Sequence, residues 1–421
     1  MPGGMLRIEA PRQNVHRPKK ASEHRNDEAP HRRYVVGFLA FEAILCIQSV
    51  RGLLAGNHTQ SYFLLACAAV LVLVAFVVGR VFMSTVIHSS GKAHLSASEK
   101  KALHADPGGA LAQQAERVLR YGTHLGRPAQ EQRGAKLEHA GDEETLKLIE
   151  TARVQELGQT SEWLEGIVAP RIETITAQDQ AILTAHVFEC ALDSNRWAVL
   201  VHGYGGSWTD TMLYARHYAS YGFNLLIPEM RAHGASGGSR PGLGWLDRTD
   251  LVDWCRWIAT FEDEGARIVL HGQGLGATAV CVAASEKTLP SGVVACVADS
   301  PYSDAWNASA RILRTRGLPP HPVLDVIRVI FKILPGGFDL TRASARDAVV
   351  HAQVPLLLFA GERDCYALPH LVKSIYDSAS GGAAQDNKRL RMFPRAGHVE
   401  AALVDPQTYY HELMDFLKMR L

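Results

Sequence analysis

The 421-residue sequence predicts an α/β domain with a mostly parallel sheet, preceded by an N-terminal region that spans a membrane. From residue 161 onward, short apolar runs of strand length alternate with helical stretches. This alternation is typical of a parallel sheet covered by helices on both faces. Residues 61–79 form an uncharged, apolar run close to the length that crosses a bilayer. The formal net charge of +1 gives no support for a nucleic-acid partner.

The N-terminal third is expected to hold a tail, a membrane region and a tether. Residues 1–33 are basic and lack an apolar period, which predicts a disordered tail, with a nucleic-acid arm as the alternative. The membrane region, 34–87, contains a strong span at 61–79 and a weaker one at 34–50, which includes Glu42. Residues 88–160 are polar and predict a tether, in which Asp142–Leu157 could form an amphipathic helix.

The basic residues predict how these spans are oriented. Eight Lys and Arg residues precede the first span, and more follow the second, whereas the connection 51–60 has one. The positive-inside rule then favours a helical hairpin in the cell membrane, with the C-terminal domain in the cytoplasm. If residues 34–50 do not insert, the same rule places that domain outside.

The domain at 161–421 is expected to begin with a β-hairpin, because two strand-like runs flank a polar turn at 177–180. The βα alternation stops over residues 301–350, which predicts a helical lid inserted over the sheet. The expected strands are Arg171–Thr176, Leu183–Cys190, Ala198–Val201, Asn224–Ile227, Ile268–Leu270, Val293–Ala298, Leu356–Phe359 and Arg389–Phe393. The expected helices are Asp210–Tyr221, Arg248–Phe261, Ala277–Ser285 and Pro406–Met419.

The stretch Arg267–Ala277 joins a buried strand to a small-residue helix through a glycine-dense turn. This is the context in which the nucleophile elbow Gly-x-Ser-x-Gly occurs. Gly272 and Gly276 stand two residues on either side of the centre, where tight packing of strand and helix requires glycine. The centre, which should be the nucleophilic serine, is Gly274. The full G-x-G-x-x-G spacing of a dinucleotide-binding loop is absent.

Four further motifs accompany this turn, each after a predicted strand, and they are His202-Gly203, Arg231-Ala-His-Gly-Ala-Ser-Gly-Gly238, Gly361-Glu-Arg-Asp364 and Gly397-His398. In this order they resemble the α/β-hydrolase superfamily, in particular membrane-anchored bacterial members that are similar to serine aminopeptidases and monoacylglycerol lipases. The resemblance covers roughly residues 161–421. It implies Asp364 as the acid, His398 as the base and the backbone N–H groups of Tyr204 and Leu275 as oxyanion donors.

Glycine at position 274 rules out an acyl-enzyme at that residue, because glycine carries no nucleophile. Other residues could supply one, or His398 with Asp364 could activate water directly. Ser300 follows a strand and could face the pocket, although a turn serine beside Pro301 is the structural interpretation. Ser207 is better explained as a helix cap, Ser236 as a turn residue and Cys281 as core.

The sequence therefore predicts a membrane-anchored protein whose family hydrolyses acyl esters or amides. The alternative is a catalytically inactive hydrolase fold that binds an acyl or other small-molecule ligand. A third hypothesis is that position 274 is substituted in this copy of an ordinary serine hydrolase. No metal or cofactor is expected, because no His, Cys, Asp or Glu cluster has metal-ligand spacing. The seven cysteines are scattered without a CxxC pair, which predicts buried thiols in a reducing compartment.

Overall fold

The computed structural model describes residues 143–166, 170–238, 240–315, 319–333 and 337–421, together with scattered positions between residues 44 and 73. The chain divides into two compact units, Met1–Val70 and Leu71–Leu421. In the first unit, the positions described from 47 to 54 are helical. The tail at 1–33, most of both predicted spans (34–50 and 61–79) and the tether up to residue 142 lie outside the described residues. Within the described part of the chain, no helix is both long enough and apolar enough to cross a membrane.

The second unit contains an eight-stranded sheet with the order β1-β2-β4-β3-β5-β6-β7-β8. The strands are β1 (Arg171–Thr176), β2 (Ile182–Phe188), β3 (Arg196–Val201), β4 (Asn224–Pro228), β5 (Arg267–Gln273), β6 (Val293–Asp299), β7 (Leu356–Gly361) and β8 (Lys388–Phe393). β1 pairs antiparallel with β2, and β2 antiparallel with β4, while every other pair is parallel. The predicted mostly parallel sheet is thus confirmed.

Helices cover both faces of this sheet, and further helices lie in the insertion between β6 and β7. The helices are α1 (Glu143–Glu165), α2 (Met212–Ser220), α3 (Asp247–Trp257), α4 (Leu275–Ala283), α5 (Ala305–Thr315), α6 (Val323–Ile333), α7 (Ala345–Ala348), α8 (Pro369–Ser378), α9 (Ala401–Val404) and α10 (Pro406–Lys418). An apolar core lies on each face of the sheet. Side chains of β3 alternate between these two cores, because successive residues of a strand point to opposite faces. Val199 packs with residues of α3, α4 and α8, whereas Leu200 packs with residues of α2 and α10.

Several observed boundaries differ from those expected. The second strand ends at Phe188 rather than Cys190. The helix predicted from Asp210 begins as a 3₁₀ turn, Trp208–Thr211, and continues as α2. The helix predicted to end at Phe261 ends at Trp257, and a π-helical turn, Ile258–Glu262, follows it. Such ends depend on tertiary contacts, which apolar spacing does not report.

Between β6 and β7 the chain forms α5, α6 and α7 in the region predicted as a lid. A separate apolar cluster joins α5 and α6 to the start of α4, through contacts that include Leu313, Phe331 and Leu275. Leu243, from the loop that precedes α3, belongs to the same cluster. The insertion therefore packs beside the turn between β5 and α4, at the carboxyl edge of the parallel strands.

Candidate active site

The candidate site begins at the turn between β5 and α4, where Gly274 is the single residue between strand and helix. Its φ of 55° lies in the left-handed region, which glycine adopts without a steric penalty. Its N–H donates to the carbonyl of Asp299, at 2.9 Å. A Cβ on Gly276 would overlap the backbone carbonyls of Val201 and His202. The tight turn therefore depends on glycine beside position 274, as the motif predicted.

His398 and Asp364 lie next to each other at the ends of two neighbouring strands. The Nδ1 atom of His398 is 2.8 Å from Oδ2 of Asp364, whose side chain is fully buried. The other carboxylate oxygen, Oδ1, accepts hydrogen bonds from the backbone N–H groups of Tyr366 and Ala367, each at 2.8 Å. The carboxylate is therefore oriented by three donors, and it favours the imidazole tautomer that carries its proton on Nδ1.

Gly274 lies beside the other nitrogen of this imidazole. A Cβ built on Gly274 would be 3.1 Å from Nε2 of His398 and 3.9 Å from the Cα atom of Gly203. A side chain at position 274 would thus begin between the base and the loop that follows β3. The structure brings Gly274, Asp364 and His398 together, and Gly203 adjoins them.

The loop after β3, which contains Tyr204, is held by two histidines. Nε2 of His202 accepts a hydrogen bond from the N–H of Met230, at 3.0 Å, and Nε2 of His233 accepts one from the N–H of Gly205, at 3.1 Å. Burial, with the neighbouring His233, lowers the pKa of His202 to about 3, so that His202 stays neutral and can accept. Both histidines are therefore structural hydrogen-bonding residues.

The other candidate oxyanion donor, Leu275, is the first residue of α4. The first N–H groups of a helix have no acceptor inside that helix, and they carry the positive end of its dipole. The backbone of Leu275 thus supplies a donor at the turn, next to Gly274.

Tyr302 is a further residue of the site, and no motif in the sequence predicted it. Its hydroxyl oxygen lies 3.4 Å from Nε2 of His398, and the centroids of the two rings are 5.4 Å apart. Thr278 of α4 fixes its backbone, since the Oγ1 of Thr278 accepts from the N–H of Tyr302, at 2.9 Å. The sequence feature that could have indicated Tyr302 is its position three residues after Asp299, where β6 ends.

Ser300, the first alternative nucleophile, is buried, with 1% of its surface exposed. Its hydroxyl donates to Oδ1 of Asp299, at 3.0 Å, and accepts from the N–H of Val399, at 3.1 Å. Ser300 and Val399 both have positive φ values, 55° and 58°. The hydroxyl of Ser300 therefore links the end of β6 to the residue that follows His398.

The remaining alternatives also have structural contacts. The N–H of Ser207 donates to Oδ2 of Asp210, at 2.8 Å, as in a capping box at the start of the 3₁₀ turn. The hydroxyl of Ser236 donates to the carbonyl of Glu229, at 2.6 Å. Cys281 is a buried free thiol inside α4.

A buried polar network lies behind the site. Oδ2 of Asp299 accepts hydrogen bonds from the hydroxyls of Tyr214, at 3.2 Å, and Tyr409, at 3.0 Å. Burial raises the pKa of Asp299 to about 6, although the hydrogen bonds from Ser300 and Tyr409 act in the opposite direction. Asp299 is therefore a carboxyl group that changes charge between mildly acidic and neutral pH. In the described part of the chain, no three His, Cys, Asp or Glu residues are grouped so as to hold a metal ion.

Comparisons with known proteins bear mainly on the fold. No protein-family model matches the chain. A curated protein of Bacillus subtilis (strain 168), the uncharacterized protein YqkD, is 24% identical over 227 residues, which are 53% of this chain and 72% of that protein. Among solved structures, the esterase Pf2001 of Pyrococcus furiosus is 22% identical with a TM-score of 0.50, covering 61% of this chain and 92% of the esterase. The α/β-hydrolase GrgF from Penicillium sp. sh18 is 16% identical with a TM-score of 0.47, covering 60% of this chain and 99% of that protein.

Proposed function

Because the chain has the α/β-hydrolase fold, we propose that it hydrolyses acyl esters or amides, with His398 and Asp364 activating an oxygen nucleophile that residue 274 does not supply. An esterase of Pyrococcus furiosus has a similar fold, which supports acyl esters as the substrate class. The second part of the proposal is the departure from the Ser-His-Asp mechanism, and it follows from Gly274.

The observation that carries the proposal is the distance of 2.8 Å between Nδ1 of His398 and Oδ2 of Asp364, in an imidazole whose Nε2 is directed toward position 274. With the proton held on Nδ1, Nε2 is the basic atom. A buried carboxylate behind the ring stabilises the imidazolium that forms when Nε2 takes a proton. This is the arrangement of a general base for an O–H group.

The negative charge that develops on the carbonyl oxygen of a substrate would be stabilised by backbone N–H groups. The donors proposed are the N–H groups of Tyr204 and Leu275, which come from the loop after β3 and the first residue of α4. Such donors act without reorganisation and typically contribute a factor of about 10²–10³ to the rate. Since both are backbone groups, glycine at position 274 leaves them in place.

A second candidate function is the binding of an acyl ligand without turnover. Two observations favour it: Gly274 has no hydroxyl, and the apolar cluster of α5 and α6 includes Leu275, one of the proposed oxyanion donors. An acyl chain could contact this cluster while its carbonyl accepted hydrogen bonds from the backbone. The side chains of Leu243, Leu313 and Phe331 belong to the same cluster.

Membrane attachment is also part of the proposed function. It rests on the uncharged run 61–79, with support from the basic residues that flank the spans. We place the hydrolase domain on the cytoplasmic side by the same positive-inside rule. An anchored domain of this kind would act on acyl compounds that are available at the membrane surface.

The decisive experiment compares the unaltered chain with its Gly274→Ser and His398→Ala variants. Turnover of short-chain nitrophenyl esters and labelling by a fluorophosphonate are measured for each chain. We expect slow turnover by the unaltered chain that is lost in His398→Ala, because the imidazole is the base. We expect Gly274→Ser to raise kcat by roughly 10²-fold or more, since loss of a triad serine costs up to about 10⁶-fold.

The outcomes separate the candidate functions. Turnover by the unaltered chain that survives in His398→Ala would contradict the proposal, because the base would then be another group. If only Gly274→Ser labels and turns over substrate, the glycine is the lesion, and the native chain is a binding protein or a substituted copy. Saturable binding of a fatty acid to the unaltered chain, without hydrolysis of any ester tested, would support the second candidate.

A further inference from the structure

We propose that the hydroxyl of Tyr302 is the nucleophile that His398 activates in this chain, in the place that a serine at position 274 would take. This inference rests on the proposed function and names the oxygen that it leaves open. The observation that carries it is the distance of 3.4 Å between the hydroxyl of Tyr302 and Nε2 of His398. Nucleophile and base are often this far apart before substrate binds, and the distance shortens in the reactive complex.

The direction of this hydrogen bond follows from the other side of the ring. Nδ1 of His398 is 2.8 Å from the buried carboxylate of Asp364 and carries the imidazole proton. Nε2 then has a lone pair and no proton, so the hydroxyl of Tyr302 donates to it. Tyr302, His398 and Asp364 thus form a chain of hydroxyl, imidazole and carboxylate with the proton arrangement of a catalytic triad.

Tyr302 is held in this place by the elbow helix. Oγ1 of Thr278 accepts from the N–H of Tyr302, at 2.9 Å, and donates to the carbonyl of Tyr302, at 3.2 Å. The N–H of Thr278 donates to the carbonyl of Gly274, at 3.1 Å. The backbone of Tyr302 is therefore tied to the turn at which the substrate carbonyl would be bound.

The base is held by the same segment. The hydroxyl of Ser300, two residues before Tyr302, accepts from the N–H of Val399, the residue after His398. Ser300 and Val399 both have positive φ values, so this hydrogen bond joins two residues with uncommon backbone conformations. One short segment after β6 thus positions both the hydroxyl and the imidazole.

Gly274 has no side chain that could compete with Tyr302 for Nε2 of His398. A Cβ at position 274 would lie 3.1 Å from Nε2, so a serine hydroxyl there would compete with the tyrosine for the same lone pair. A tyrosine hydroxyl has a pKa near 10, and tyrosine is among the residues that form covalent intermediates. In the proposed mechanism, Gly274 removes the usual serine nucleophile and the hydroxyl of Tyr302 replaces it.

The reaction balances in two steps. In the first, the O–H bond of Tyr302 breaks, its proton moves to Nε2 of His398, and the oxygen bonds to the acyl carbon of the substrate. The alcohol or amine then leaves with the proton from His398, and the acyl group remains on Tyr302 as an aryl ester. In the second, His398 takes a proton from water, the hydroxide oxygen bonds to the acyl carbon, and tyrosinate leaves and recovers the proton. The carboxylic acid is released and no other reactant is needed.

The test uses the full chain and five variants: Tyr302→Phe, Tyr376→Phe, His398→Ala, Gly274→Ser and the double variant Gly274→Ser with Tyr302→Phe. Each is treated with a nitrophenyl ester, quenched in acid during turnover and analysed by peptide mass spectrometry. We expect one acyl group on the peptide that contains Tyr302 in the unaltered chain. Tyr302→Phe should lose the adduct and lower kcat by about 10²-fold or more. The matched control Tyr376→Phe alters a tyrosine of α8, and should change neither.

Each result has a defined meaning. Unchanged turnover in Tyr302→Phe, with loss of turnover in His398→Ala, would overturn the tyrosine mechanism and leave direct activation of water as the proposed function. Absence of both turnover and adduct in the unaltered chain would overturn the two proposals together. Folding is checked through the double variant, in which acylation at position 274 would show that the site without the tyrosine hydroxyl is still assembled.

Discussion

At the scale of single residues, Asp299 and Ser300 connect the end of β6 to the turn after β5, to strand β7 and to the loop after β8. The carbonyl of Asp299 accepts from the N–H of Gly274, and the N–H of Ser300 donates to the carbonyl of Phe359 in β7. The hydroxyl of Ser300 reaches the residue after His398. Ser300 is buried at the end of β6 because its hydroxyl helps to position the segment that carries His398. The interpretation of Ser300 as a turn residue anticipated its structural role but not this contact.

The raised pKa of Asp299 predicts how the stability of the folded chain changes with pH. Its pKa is about 6 in the folded protein, above the ordinary value of 3.8, because the carboxyl is buried. The folded chain therefore holds the proton more tightly than the unfolded chain. The stabilising contribution is complete below about pH 4, and it is lost as the pH rises through about 6. The difference amounts to roughly 3 kcal/mol in the free energy of unfolding.

Replacement of the carboxyl isolates this contribution. We expect Asp299→Asn to remove about 3 kcal/mol of the stability that is lost between about pH 4 and pH 7, measured by urea unfolding at several pH values. Asp250, whose pKa burial also raises to about 6, contributes a loss of its own in both chains. Neutral buried histidines such as His271, whose pKa burial lowers to about 3, contribute an opposite slope in both chains. Their effect cancels in the difference between variant and unaltered chain. Parallel pH profiles for the two chains would contradict the assigned role of Asp299.

At the scale of elements, α1 extends the packed region toward the N-terminus. The sequence predicted an amphipathic helix over Asp142–Leu157 inside a polar tether that ends at residue 160. The observed helix runs from Glu143 to Glu165 and packs against α2 and α9. Leu157 and Leu164 join the core of the domain, and Glu156 pairs with Arg216 of α2, at 2.9 Å. Because α9 follows His398 closely in sequence, α1 lies against the segment that carries the base.

Two leucines of α1 give a matched prediction. Leu157 is 2% exposed, whereas Leu148 is 37% exposed. We expect Leu157→Ala to lower the free energy of unfolding by about 2–4 kcal/mol, because it leaves a cavity between α1 and the domain. Leu148→Ala should change it by less than about 0.5 kcal/mol. Equal effects of the two substitutions in chemical unfolding would show that α1 does not pack as observed.

At the scale of the whole molecule, the candidate site lies at one edge of the sheet. The parallel strands bring their carboxyl ends to one edge of the sheet, where ligands of such folds bind. Gly274 follows β5, Tyr302 follows β6, Asp364 follows β7 and His398 follows β8. One edge therefore collects residues that are separated by more than a hundred positions in the chain.

Membrane attachment through residues 61–79 can be tested by charge. We expect the full chain to remain in the membrane pellet after extraction with alkaline carbonate. The double substitution Leu71→Arg with Val74→Arg should lower the fraction retained, because each charge near the centre of a span costs roughly 2.5–3.5 kcal/mol on insertion scales and only the weaker span at 34–50 would remain. The control is Leu148→Arg, at an exposed position of α1. Equal retention of the double variant and the unaltered chain would count against this run as an anchor.

The order of the strands, the β-hairpin of β1 and β2 and the glycines of the elbow were predictable. They depend on apolar spacing and on backbone conformations that few residues adopt. The resemblance of five motifs to those of one superfamily also identifies Asp364 and His398 as site residues from the sequence alone. The contact between Tyr302 and His398 was not predictable in this way. Tyr302 is adjacent to the base because β6, β7 and β8 pair in register and because Thr278 ties it to the elbow helix. Contacts between residues far apart in sequence, like the packing of α1 on the domain, exist only once the chain has folded, because they depend on the registers and packing of several elements together.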